Sequence, residues 1–130
     1  MYNQVSINFM KRQRQTYLLA LLIFLSCAST QDCPDKINLI PMFGGQKKCS
    51  EQIESDKIFF HECDSIFKDR KIACKYHIKR GWDYFYANIL DTSMMRFNQA
   101  WLLDSTNADI YWGFGNLLGT HKKYKESLVF

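Results

Sequence analysis

Between Ser50 and Lys68 apolar side chains return at three- and four-residue steps. Phe59, Cys63 and Phe67 form the stripe, Phe60 and Ile66 flank it, and Glu51, Glu54, Asp56, Glu62 and Asp64 take the other side. This is the period of one face of a helix. It predicts a helix over 50–68, capped by Ser50 and with its early acids at the positive end of the helix dipole. Ala73, His77, Gly81, Tyr84 and Phe85 predict a second helix over about 70–88. Leu90, Ser93, Met94, Phe97 and Ala100 predict a third, with Asp91 or Thr92 as its cap, and Asn107–Leu118 a fourth; a fifth starts near Tyr124. The pattern as a whole is all-α, built of antiparallel helix hairpins.

The segment before these helices follows another rule. Ile37-Asn-Leu-Ile-Pro-Met-Phe-Gly-Gly crowds apolar residues around Pro41 and ends in a Gly-Gly pair suited to positive φ. We expect an extended strip laid on the first helices, with Ile37, Leu39, Ile40 and Phe43 covering apolar surface; a ligand loop is the alternative.

The helical pattern also repeats. Gly81 and Ser93 return as Gly115 and Ser127, in each case 34 residues later. With Cys74 and Ala108 each at position 1, Tyr111, Phe114, Gly115 and Leu118 take positions 4, 7, 8 and 11, while Phe97 and Ala100 take 24 and 27 of the preceding unit. That register resembles the tetratricopeptide repeat, whose period is about 34 residues. Repeat one would span about 74–107 and a partial repeat two about 108–130. A glycine at one register in both units points to close approach of helices, since mid-helix Gly costs about 1 kcal/mol against Ala. The chain stops at Phe130, position 23 of the second unit, which suggests either a truncated member of a longer type or closure of Leu128, Val129 and Phe130 on a neighbour. Truncation is the favoured expectation.

The N-terminal residues carry a different message. Met10-Lys-Arg-Gln-Arg is a basic start, and Thr16–Leu25 follows as an apolar run too short for a bilayer, which needs about 20 residues. Residues 1–26 therefore read as an export signal, with Met10 as a candidate start. Phe24-Leu25-Ser26-Cys27 resembles the lipobox of bacterial lipoproteins, which implies acylation of Cys27; Ser26-Cys27-Ala28 also offers an ordinary signal-peptidase site. On the first reading 27–49 is a lipid-anchored tether and extended segment, ahead of a helical domain over 50–130.

Charge supports no nucleic-acid partner. Lys11, Arg12 and Arg14 are three of the 17 basic residues, so removing the signal leaves 14 against 13 acidic ones, a net of +1. A nucleic-acid binder keeps a basic stripe in its mature domain. Cysteine use fits an exported chain: with Cys27 acylated, Cys33, Cys49, Cys63 and Cys74 remain, enough for one or two disulfides with three possible pairings. Cys63 and Cys74 also fall on apolar helix faces, where a free thiol packs as a small hydrophobe.

Enzyme motifs are not evident. His61-Glu62-Cys63-Asp64 lacks the second histidine of a zincin helix, and in the one metal-like grouping, His61, Cys63, Cys74 and His77, Cys74 and His77 take repeat positions that packing explains. No catalytic residue, cofactor or metal is expected.

Arg80-Gly-Trp-Asp-Tyr-Phe-Tyr, Met95-Arg-Phe-Asn-Gln-Ala-Trp-Leu-Leu-Asp and Tyr111-Trp-Gly-Phe-Gly, with Pro41-Met-Phe-Gly-Gly and Cys27, resemble the tetratricopeptide-repeat lipoproteins of Bacteroidetes-type bacteria. The resemblance implies an outer-membrane lipoprotein facing the periplasm or the cell surface, with the first helix of each pair lining a concave face. On that face it places Lys75, Ile78, Trp82, Phe85, Tyr86, Asp109, Trp112 and Asn116 as partner-binding residues. The implied function is a non-catalytic scaffold for a protein or peptide partner, joined to the membrane by its lipid. The alternatives are an envelope assembly component without a discrete groove, in which Trp82, Phe85 and Trp112 pack against the N-terminal strip, and a soluble exported protein.

Overall fold

Two short 3₁₀ turns lead into five α-helices in the computed structural model, which describes residues 32–130. The segment read as an export signal, with Cys27, lies outside the described residues. The turns are Ile37–Leu39 and Pro41–Gly45, and the helices are α1 Ser50–Ile66, α2 Arg70–Tyr86, α3 Leu90–Leu103, α4 Ala108–Thr120 and α5 Tyr124–Ser127. The fold is all-α. Among the described residues no helix is long and apolar enough to cross a membrane.

The helices begin where local chemistry can satisfy their free N–H groups, and not always at the expected residue. Asp69 caps α2 by accepting from the Ile72 N–H at 2.9 Å, and Asn107 caps α4 by accepting from Asp109 at 3.0 Å. Ser50 does not cap α1. Cys49 occupies that position, and its N–H is taken by the Gln52 side chain at 3.1 Å. Asp91 and Thr92 do not cap α3 either, because the helix already starts at Leu90, straight out of a closed backbone turn.

That turn occurs twice. After α2, Asn88 takes φ 59° and the Ile89 N–H reaches back to the Tyr84 carbonyl at 2.9 Å; after α4, Lys122 takes φ 60° and Lys123 reaches Leu118 at 2.9 Å. A left-handed residue just past a helix, with a bond back across it, stops the helix and reverses the chain. The two serines then lock each reversal alike, Ser93 Oγ donating to Gly81 O and Ser127 Oγ to Gly115 O, both at 2.8 Å. Every one of these pairs is offset by 34 residues.

Packing builds outward from the α2–α3 hairpin. Phe97 of α3 is fully buried among Cys74 and Ile78 of α2, Met94 and Ala100 of its own helix, and Ile110, Phe114 and Leu117 of α4. Its ring lies in a notch made by two glycines: a Cβ on Gly81 would meet it at 2.9 Å, and one on Gly113 would overlap it. The close approach expected at Gly81 is therefore present, but its counterpart on α4 is Gly113. A Cβ on Gly115 would meet nothing nearer than the Ser127 carbonyl at 3.5 Å and Phe130 at 3.6 Å. Phe130 closes over the end of this core, stacked on Tyr111 and edge-on to Phe114.

The N-terminal strip is not extended, and it lies on α3, not on the first helices. Met42, Phe43, Gly44 and Gly45 all have φ between 52° and 64°, a left-handed run that L-residues with a Cβ resist by about 1–2 kcal/mol each. Its anchors are specific. Ile37, Pro41 and Phe43 are buried, the Phe43 ring meets Trp101 edge-on, and the Lys48 ammonium sits 3.4 Å from the Phe43 ring centroid. The buried Asn98 amide donates to both Asn38 O and Ile40 O at 2.9 Å. A Cys33–Cys49 disulfide joins the two ends of the segment, which resolves the cysteine pairing. Cys63 and Cys74 are buried free thiols.

Helix α1 is the most lightly held. It buries Cys63 against α2 and half-buries Phe59, Phe60 and Phe67, but Ile66 of the predicted stripe is exposed. At its start the Lys48–Asp56 ion pair, at 2.6 Å, ties it to the strip.

Candidate functional site

Six of the eight groove residues line one cleft between α2 and α4. Trp82, Phe85 and Tyr86 come from α2, and Asp109, Trp112 and Asn116 from α4, around about 420 Å³. Helical spacing explains the set: Trp82, Phe85 and Tyr86 stand at i, i+3 and i+4, as do Asp109, Trp112 and Asn116 at i, i+3 and i+7. The Trp82 and Tyr86 rings stack at 6.0 Å, with Phe85 edge-on to Trp82 at 5.4 Å. Trp112 is 67% exposed and Tyr86 79%, so the aromatic faces are open to solvent. The Asn116 amide donates to the Trp112 carbonyl at 2.8 Å. Asp109 makes no ion pair among the described residues.

Two groove residues fall elsewhere. Ile78 is 7% exposed and belongs to the core with Cys74 and Phe97, because α4 closes over that part of α2. Lys75 is exposed on α2 and does not line the cleft. The N-terminal strip, seated on α3, contributes no residue to the cleft that Trp82, Phe85 and Trp112 line. Trp82 instead leans edge-on against Phe97 at 5.3 Å, which fixes one wall of the cleft to the core.

Beside the cleft, and sharing Trp112 and Asn116 with it, lies a depression of about 610 Å³ whose floor includes Gly115 and Gly119 and whose far wall is Tyr124 and Leu128. The glycines on α4 open this space by withholding side chains. The wall from α5 depends on the reversal at Lys122.

The metal-like grouping is dispersed. Cys63 Sγ lies 3.9 Å from His77 Nε2, whereas Cys74 sits beside Asn107 Nδ2 at 4.0 Å and His61 is exposed. No three of the four bring donor atoms together; among the described residues the one such trio is Cys33, Cys49 and Glu51, two of which form the disulfide. Burial, reinforced by the charges of Asp104 and Asp109, pushes the Cys74 thiol up to about 11. Burial and the neighbouring Asp64 and Glu62 also raise Cys63. Both are protonated and poor nucleophiles at neutral pH. Comparison with protein-family models, curated proteins and solved structures finds no match to this chain.

Proposed function

We propose that this chain is a non-catalytic, protein-binding scaffold of tetratricopeptide type, exported and tethered to a bacterial envelope membrane through acylated Cys27. One observation carries the binding role: the open aromatic cleft of Trp82, Tyr86 and Trp112, with the Asp109 carboxylate, in no ion pair among the described residues, in its lining. The turn and serine lock that recur at a 34-residue offset support the repeat reading. Exposed tryptophan and tyrosine faces are the side chains that carry most interface energy. A cation is attracted to both a ring face and a carboxylate, so an extended segment presenting Lys or Arg suits the cleft best. The anchor and the envelope location rest on the sequence of the export segment.

Peptide display on the immobilised domain tests the binding role. Extended peptides enriched in Lys or Arg are expected, and W82A and W112A should each abolish their capture. Selection of the same peptides by the doubly substituted protein overturns the cleft. Incorporation of a fatty-acid analogue into wild type but not C27S is expected for the anchor, and an unlabelled wild type rules it out.

A further inference from the structure

A second concavity, of about 360 Å³, lies between α1, α2 and α3, away from the aromatic cleft. Phe59, Ile66, Phe67 and Tyr76 supply apolar walls, and the polar groups that reach it are Cys63, His77, Arg96, Gln99 and, at the exposed rim, Glu62. His77 is 5% exposed, clasped edge-on by Phe59 at 5.2 Å and Tyr76 at 5.3 Å, and its Nδ1 meets no partner at hydrogen-bond geometry, although the Gln99 side chain lies close enough to favour the charged ring.

Cys63, 4% exposed, lies 3.9 Å from His77 Nε2, and its thiol donates or accepts there according to the imidazole tautomer. On α3, Arg96 Nη1 donates to Gln99 Oε1 at 2.9 Å, which uses the acceptor of that amide and leaves its NH₂ free. Arg96 itself pairs with no carboxylate among the described residues. A guanidinium and an amide NH₂ thus meet aromatic walls in one pocket, with Glu62 the one carboxylate in its lining.

We propose that this pocket binds a small carboxylate with an aryl or branched alkyl body, its oxygens on Arg96 and the Gln99 NH₂ and its apolar body against Phe59, Phe67 and Tyr76. Guanidinium and carboxylate match in geometry as well as charge. The Arg96 guanidinium accounts for the choice of an anion over a cation. The walls account for the choice of an organic acid over inorganic phosphate.

Phenylacetate, with phenylacetamide as its uncharged twin, tests this on the full chain by NMR of the His77 ring. Phenylacetate should shift the His77 signals saturably with a Kd of about 1 mM or tighter, the range open to a ligand of this size. Phenylacetamide and the R96Q protein should each bind at least about tenfold more weakly, the loss expected for a charged hydrogen bond. R96K, which keeps charge but not the fork, should fall between. Absence of a saturable His77 shift, equal binding of acid and amide, or shifts confined to Trp82 and Trp112 overturns the proposal. Should R96Q lose its helical circular dichroism, the acid-against-amide comparison on wild type decides alone.

Discussion

The ring of Phe97 lies against the backbone of Gly113 so closely that a Cβ at residue 113 would overlap it, and the same ring presses on Gly81 from the other side. One buried phenylalanine thereby sets the separation of α2, α3 and α4. That separation also positions Trp82, which packs on Phe97, across the cleft from Trp112.

Alanine at these glycines should divide them. Gly113→Ala forces either ring or helix to move, and overpacking of this kind costs about 1–3 kcal/mol. Gly81→Ala should cost less, since its Cβ would lie 2.9 Å from the ring. Gly115→Ala has room and should be neutral or stabilising by up to about 1 kcal/mol, the helix-propensity gain over glycine. Urea unfolding midpoints rank the three, and a Gly115→Ala protein as unstable as Gly113→Ala would contradict the notch.

The N-terminal strip should be held as much by one amide and one disulfide as by its apolar residues. Asn98→Leu leaves the Asn38 and Ile40 carbonyls without their donors, at about 1–3 kcal/mol for the loss. Reducing Cys33–Cys49 frees a segment of 16-residue separation and should cost about 3 kcal/mol on the loop-entropy estimate. In both cases hydrogen exchange should quicken at the strip while α2 and α4 keep their protection, since their core residues do not depend on it. Uniform quickening through every helix would show that the strip is integral to the core.

Stability should fall with acid through His77. Burial, with the Arg96 charge beside it and Gln99 opposing, pushes its pKa from 6.5 to about 4. Between those values the unfolded chain takes up a proton that the folded one refuses. The contribution is therefore intact above pH 6.5 and lost as pH drops toward 4, by on the order of 3 kcal/mol. Asp64, held low by its hydrogen bond from Arg70, and Asp83, held low by Lys79, lose stability in the same direction at still lower pH. Urea midpoints followed down this range should flatten in a His77→Phe protein; an unchanged slope would assign the acid sensitivity to the carboxylates.

Much of the candidate cleft was legible because its residues share helix faces. Trp82, Phe85 and Tyr86 had to lie together once α2 was a helix, and so did Asp109, Trp112 and Asn116. Ile78 was misplaced because whether a residue lines a groove or a core depends on which neighbouring helix covers it, and α4 covers this one. Arg96 and Gln99 carried no signal of their own. They are an ordinary i, i+3 pair on α3, and only the aromatic walls brought in from the other helices give them a joint meaning.

By itself the chain's periodicity determined that the molecule is helical, roughly where each helix runs, and that the pattern returns after 34 residues. Those are consequences of local spacing, in which each residue's face follows from its neighbours three and four positions away. The tertiary structure decided that Gly113 and not Gly115 receives the Phe97 ring, and that the strip curls left-handed onto α3. It also decided that Cys33 pairs with Cys49, and that Ile78 belongs to the core. Each of these depends on contacts between residues far apart in sequence, where burial and close packing outweigh the local preferences that periodicity records.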